Sequence, residues 1–176
     1  MKVLNFPEIK QVCNYDCGAC VLESVFSYYG SNILEEDIMK IAGTIPKKGT
    51  SIRGMLKTIK HFRFKGELKK FDIKTLRKYI DKKCPIILRL QAWSQHKGTI
   101  WEKDWKDGHY VVVIGYDNEK IYFEDPWTIN RTFLTNDELM LRWHDIGEDG
   151  KKYINSGIVI VGKKKDYDSE IVVHME

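Results

Sequence analysis

The sequence predicts an α+β fold, a helical half followed by an antiparallel β half. Apolar residues recur at helical spacing between residue 22 and about residue 80, and short β-branched runs take over from Pro85. No repeat, Pro-rich or Ser-rich linker or low-complexity stretch divides the chain. Helices grouped before strands give segregated layers. At 176 residues and 20.7 kDa, residues 1–176 are expected to form a single domain with a core of its own.

The elements follow in order. Leu22, Val25, Phe26 and Tyr29 make one apolar helix face, with Asp16 as N-cap and Gly30 as stop, which puts Cys17 in the first turn. A second helix is expected from about Leu34 to Ala42, stopped by Gly43. A third carries Ile52, Met55, Leu56 and Ile59 behind Thr50 or Ser51, and a fourth carries Ile73, Leu76 and Ile80 behind Asp72. The β half opens with the strand Pro85–Leu90. Tyr110–Tyr116 is the strongest strand, too apolar for a solvated edge, and Asp117-Asn118-Glu119 turns it into Ile121–Phe123. A late strand covers Gly157–Val161, and Lys163-Lys164-Lys165-Asp166 reads as a solvated end.

Composition narrows the function. With 29 Lys/Arg against 25 Asp/Glu, the net charge of +4 is too small to point to nucleic acid or an anionic membrane. A hydrophobic fraction of 43% with 12% aromatics excludes wholesale disorder. No apolar run reaches the roughly 18 residues of a membrane span, and Met1–Lys10 lacks the pattern of a signal peptide. A soluble, cytoplasmic protein with reduced cysteines is expected. Charge is nevertheless segregated: residues 57–83 hold eleven Lys/Arg against three Asp/Glu, and residues 102–149 hold five against twelve. The basic stretch reads as a solvated helical face, with a docking surface for an acidic partner as the alternative.

Cys13, Cys17 and Cys20 fall close together while Cys84 stands alone. The spacing Cys13-x-x-x-Cys17-x-x-Cys20 resembles the iron–sulfur motif of radical S-adenosylmethionine enzymes. Its context does not follow: helices precede strands, no glycine-rich strand end succeeds the first helix, and Cys20 falls inside that helix. The other chemistry needs only Cys17. A thiol in a helix's first turn faces the positive end of the macrodipole, which favours a nucleophile for acyl transfer. Gln11 lies six residues upstream, near enough to loop back as an oxyanion donor beside the Cys17 N–H.

Among five histidines, His109 is the best base, since it opens the strongest strand. The hairpin that follows returns the chain to Asp125-Pro126, bringing a carboxylate beside the imidazole to fix its tautomer. His61, His96 and His174 read as surface residues and His144 as a surface or capping residue. Cys13 and Cys20 read as small buried residues, with a reversible Cys13–Cys17 disulfide as a redox alternative for Cys13.

Together, Gln-Val-Cys-Asn-Tyr-Asp-Cys-Gly-Ala-Cys from Gln11, Gly108-His109-Tyr110-Val111-Val112-Val113-Ile114-Gly115-Tyr116 and Asp125-Pro126 resemble the bacteriocin-processing peptidase family, papain-like cysteine peptidases that cut double-glycine leader peptides. Gly49-Thr50-Ser51-Ile52-Arg53-Gly54-Met55-Leu56 is similar to that family's third helix, so the resemblance covers about residues 11–145. It implies a papain-like cysteine peptidase fold, with Cys17 on the helical half and His109 with Asp125 on the sheet half. It implies Cys17 as nucleophile, His109 as general base and acid, Asp125 as the orienter of His109 and Gln11 as oxyanion donor. Trp127 could cover the His109–Asp125 bond from water, as an aromatic does in papain-like sites, or simply pack.

Residues 146–176 are too few for the membrane and ATPase parts of an exporter, so a stand-alone form is expected, with double-glycine specificity left open. The reading calls for no cofactor and no metal. Its partner is a peptide or protein substrate, with no nucleic acid and no membrane span. An acyl transferase with the same triad, as in phytochelatin synthases and transglutaminases, and a non-catalytic peptide-binding module are the alternatives.

Overall fold

The helix α1 (Cys17–Tyr28) runs through the middle of the protein and is buried on nearly every side, from Gly18 to Tyr28. The sequence stripe predicts one buried face only. The difference arises because α2 (Glu35–Ala42) and α3 (Ile52–His61) pack together and against α1 while the sheet covers its other side. The computed structural model describes residues 1–162 and 170–175, so the expected solvated end at Lys163–Asp166 lies outside the described residues.

The helix stops are those the residues dictate. Gly30 and Gly43 take the left-handed conformation (φ 75° and 73°) that ends α1 and α2. Ser51 caps α3 by accepting from the Gly54 N–H at 2.9 Å, and Asp72 caps α4 (Ile73–Asp81) by accepting from the Thr75 N–H at 2.7 Å.

A seven-stranded sheet forms the other half. Its members are β1 (Lys2–Val3), β2 (Lys65–Lys70), β3 (Ile86–Gln91), β4 (Gly108–Tyr116), β5 (Lys120–Glu124), β6 (Thr132–Thr135) and β9 (Ser156–Val161). The order is β2-β9-β3-β4-β5-β6, with β1 also paired to β4, and every pairing is antiparallel. Between β6 and β9 come α5 (Asn136–Arg142) and a separate hairpin of β7 (His144–Ile146) and β8 (Lys152–Ile154). The apolar run 110–116 forms β4, which pairs with both β3 and β5 and carries α1 and α4 against it. Val112, Val113 and Ile114 are fully buried there.

The two halves are less segregated than the sequence predicts. β2 lies between α3 and α4 in the chain yet forms the sheet edge against β9, and Gly66 lets it press on Ile59 of α3. Its sequence, Lys-Gly-Glu-Leu-Lys-Lys, has no apolar alternation because it is an exposed edge.

Gly54 sets the α2–α3 approach: a Cβ there would sit 2.2 Å from the Ala42 carbonyl oxygen, a backbone atom. Alanine in a helix gains about 1 kcal/mol of propensity over glycine, and overpacking against rigid backbone costs about 1–3 kcal/mol. Gly54→Ala is therefore expected to lower the urea unfolding midpoint, and an unchanged or raised midpoint would show that α2 moves aside freely.

Candidate active site

Cys17 is the first residue of α1, half-buried at the floor of a cleft. The preceding loop is curled onto the helix by its own polar groups. Asp16 occupies the N-cap position, but its carboxylate does not cap: Oδ2 accepts from the Val12 N–H at 3.2 Å and the Cys13 N–H at 2.7 Å. The expected cap thus works backwards and holds the loop, while the Asp16 carbonyl accepts from Ala19 and Cys20. Gln11 is buried; its Nε2 donates to the Cys13 carbonyl at 2.6 Å, and its N–H donates to the Pro126 carbonyl at 2.9 Å. The second Nε2 proton has no acceptor among the bonds described. First-turn N–H groups such as that of Cys17 have no intrahelical partner either.

The segment before this loop is strapped across the sheet. Leu4 N–H donates to the Ile114 carbonyl and Ile9 N–H to Glu124 Oε1 at 3.2 Å. Burial pushes the Glu124 carboxyl up to about 8, with the Ile9 N–H acting in the opposite direction.

His109 and Asp125 meet diagonally. The β4–β5 register pairs Val112 with Glu124, so Asp125 falls opposite Val111, on the face that His109 shares. Nε2 of His109 lies 2.7 Å from Asp125 Oδ1, and the ring's other hydrogen-bond partner is the Cys17 thiol. Asp125 is buried and accepts three further bonds, from the Trp127 N–H at 3.0 Å, Trp93 Nε1–H at 3.1 Å and the Thr132 hydroxyl at 3.3 Å. Burial pulls the His109 pKa down, but the bonds to Asp125 and Cys17 outweigh it and raise the pKa to about 9. The ring thus sits between the Asp125 carboxylate on one side and the Cys17 sulfur on the other.

The structure brings together Cys17, His109 and Asp125 and hangs Gln11 from the loop beside them. Several neighbours read differently from the sequence. Trp127 is half-exposed, and its backbone N–H, not its ring, bonds Asp125; the indole on the carboxylate is that of Trp93. Trp93 and Thr132 could not be found from sequence, since no motif ties them to Asp125 across such separations. His144 is buried rather than superficial, bonded to the Asp104 carbonyl at 2.6 Å and packed on Trp105. His61, His96 and His174 are exposed as expected. Cys20 is buried in α1 with its thiol on the Ile9 carbonyl. Cys13 is only half-buried and bonds Tyr15. Among the described residues no group of three or more His, Cys, Asp or Glu is placed to hold a metal, and no helix is long and apolar enough to cross a membrane.

A thiol on a central helix, facing a histidine and a carboxylate on an antiparallel sheet, is the layout of the papain-like cysteine peptidases. The chain belongs to the Peptidase C39 family, whose profile matches residues 5–147. It is 31% identical over 116 residues to the transport/processing ATP-binding protein ComA of Streptococcus pneumoniae, covering 66% of this chain and 14% of that one. It is 24% identical over 137 residues to the pediocin PA-1 transport/processing protein PedD of Pediococcus acidilactici, covering 77% of this chain and 17% of PedD. The chain therefore spans less than a fifth of each of these relatives. The fold matches the peptidase domain of a Streptococcus ComA (TM-score 0.65, 23% identity, covering 92% of this chain and 99% of that one). It also matches a structure described as a C39-like peptidase from Bacillus anthracis (TM-score 0.66, 18% identity, covering 95% and 100%).

The His109 pair yields a pH signature. Its folded pKa lies above the free value of about 6.5, so its contribution to stability is complete below that pH and is lost as pH rises through about 9. By NMR titration, the His109 ring is expected to titrate well above neutrality in the wild type and lower in Asp125→Asn. The stability gap between the two proteins should shrink from pH 6.5 to pH 9. A wild-type midpoint at or below that of free imidazole would remove the charged pair.

Proposed function

We propose that the chain hydrolyses peptide bonds through a Cys17 thioester, with His109 as general base and acid, Asp125 as the orienter of His109 and Gln11 as an oxyanion donor. The observation that carries this reading is the arrangement around His109: Nε2 is 2.7 Å from Asp125, and the ring's other bond goes to Cys17. With Nε2 committed to the carboxylate, Nδ1 is the nitrogen that exchanges a proton at the reaction centre.

The chemistry proceeds from these groups. The Cys17 thiol gives its proton to His109 Nδ1 as Sγ attacks the carbonyl carbon, and the resulting oxyanion accepts hydrogen bonds from the Cys17 N–H and the second Nε2–H of Gln11. Collapse breaks the C–N bond as His109 gives its proton to the departing amine. Water then attacks the thioester, His109 accepts a proton from it, and the acid product and the thiol are released. Asp125 keeps the ring in one tautomer and matches its charge in a buried setting, without taking up the proton itself. A peptide with a scissile amide is the substrate class that the groups themselves require.

Cleavage of a proteome-derived peptide library, read by mass spectrometry, tests the assignment. Cys17→Ala is expected to abolish cleavage with an unchanged unfolding midpoint, and wild-type turnover in that variant would end the proposal. Loss of one oxyanion donor in Gln11→Ala should lower kcat by about 10²–10³-fold. Asp125→Asn should cost less than His109→Ala, because it orients the base rather than moving protons; the reverse order would make Asp125 the proton carrier.

A further inference from the structure

The cleft that has Cys17 at its floor encloses about 350 Å³, and its lining is strongly biased in charge. Lys47 and Lys48 enter from the loop between α2 and α3, and Lys106 from the loop between β3 and β4. All three are exposed, and none has a carboxylate within ion-pair distance among the described residues. The one acid in the lining is Asp145, and it is already committed. Arg89 Nε pairs with its Oδ2, while Gln91 Nε2 at 3.1 Å and the Ile146 N–H at 2.8 Å serve its Oδ1. Arg89 also lies 3.5 Å from Glu148, so its charge is matched in place, and the lysines carry the unmatched charge.

A second, independent observation comes from the cleft wall. Tyr110 is 4% exposed, lies in the lining beside Arg89, whose guanidinium stands 5.2 Å from the ring, and leaves its hydroxyl without a hydrogen-bond partner. A buried hydroxyl is costly until something accepts from it or donates to it. Tyr110 is held there by close packing, since a Cβ on Gly18 would touch both Thr50 and the Tyr110 ring. The hydroxyl is thus fixed in the wall of the cleft that Cys17 and the three lysines also line.

We propose that this cleft is a subsite for an acidic side chain of the substrate, next to the bond that Cys17 attacks, with the Tyr110 hydroxyl as its buried donor and Lys47, Lys48 and Lys106 as its cationic rim. The inference rests on the peptidase reading of Cys17 and adds the class of substrate. A carboxylate suits both features at once. It accepts from a phenolic hydroxyl that has no other acceptor, and it answers positive charge that the protein leaves unanswered. Clefts of one sign concentrate ligands of the other, and the effect weakens as salt shortens the screening length.

The test compares alkylation of Cys17 by iodoacetate, an anion, with that by iodoacetamide, its neutral analogue, with Cys13 as the reference thiol in the same chain. In wild type at low salt the iodoacetate preference at Cys17 is expected to exceed that at Cys13 by about tenfold. The triple variant Lys47→Gln, Lys48→Gln, Lys106→Gln, which keeps His109, should lose most of it. Tyr110→Phe keeps the charges and should lose a smaller part. In the peptide library, wild-type cuts should be enriched in Asp or Glu at one fixed position beside the scissile bond, and the triple variant should lose the enrichment. Equal preferences in wild type and triple variant, with cuts showing no acidic bias, would overturn the subsite and leave the peptidase reading standing. A lysine-dependent preference in a protein that cuts no peptide would overturn the peptidase reading while supporting the anion site.

Discussion

The geometry of the candidate site hangs on one buried carboxylate. Asp125 lies just past the end of β5 and accepts from four donors: His109, Trp93, the Trp127 backbone and Thr132. Three of the donors come from β4, from the bend beyond β3 and from β6, and the fourth from the residues just after Asp125, so the full set assembles only when those strands are docked together. Trp93 shows how strongly this geometry is enforced. It sits at φ 58°, a conformation that costs a bulky residue about 1–2 kcal/mol. The strain is local, at the bend beyond β3 that carries the indole to Asp125, and the bond there is what offsets it.

The Cys17 thiol is held by an unrelated device. Cys17 is fixed by the burial of α1, whose apolar surface is enclosed by α2, α3 and the sheet. Burial sets the helix axis but not the loop before it. That loop is set by Asp16, which turns its carboxylate onto the Val12 and Cys13 N–H groups, and by the bond from the Gln11 N–H to Pro126. Since Pro126 follows Asp125 directly, the strand end that orients His109 also anchors the loop that carries Gln11. The two halves of the site are therefore registered against each other through backbone, over a span of two residues.

The residues that meet at the candidate site are legible in the sequence because each sits in a local pattern. A thiol behind a helix cap, a histidine opening an apolar strand and an Asp-Pro closing the next each carry a signal within a few residues. The four long helices and the strands β3, β4, β5 and β9 were legible for the same reason, since apolar spacing and Gly or Asp punctuation are short-range properties. What was not legible depends on distant partners. β2 is polar and becomes a strand only by pairing with β9. Trp93 and Thr132 are ordinary loop and strand residues until Asp125 arrives between them. α5 is the exception: Thr135 and Glu138 form a full capping box, a signal present in the sequence that the apolar spacing alone does not reveal.

The reach of His109 to Asp125 also shows why a hairpin read from sequence locates a site better than it describes it. A simple turn would set 109 and 125 side by side, whereas the observed register leaves them on the same face but two residues apart along β4, with a bulge between Val113 and Gly115. Parity, not direct pairing, is what brings them together: residues 109, 111 and 125 share a face because side chains alternate. The same alternation turns Tyr110 and Arg89, a cross-strand pair, to the opposite face, toward α1 and the cleft at Cys17. One strand thus carries His109 on one face and Tyr110 on the other, and Cys17 meets both, the His109 ring by a hydrogen bond and Tyr110 in the lining of the cleft. Shifting the β3–β4 register by a single residue would exchange the faces and part these side chains, so the buried valines of β4 fix the geometry of the site as firmly as they fix the core.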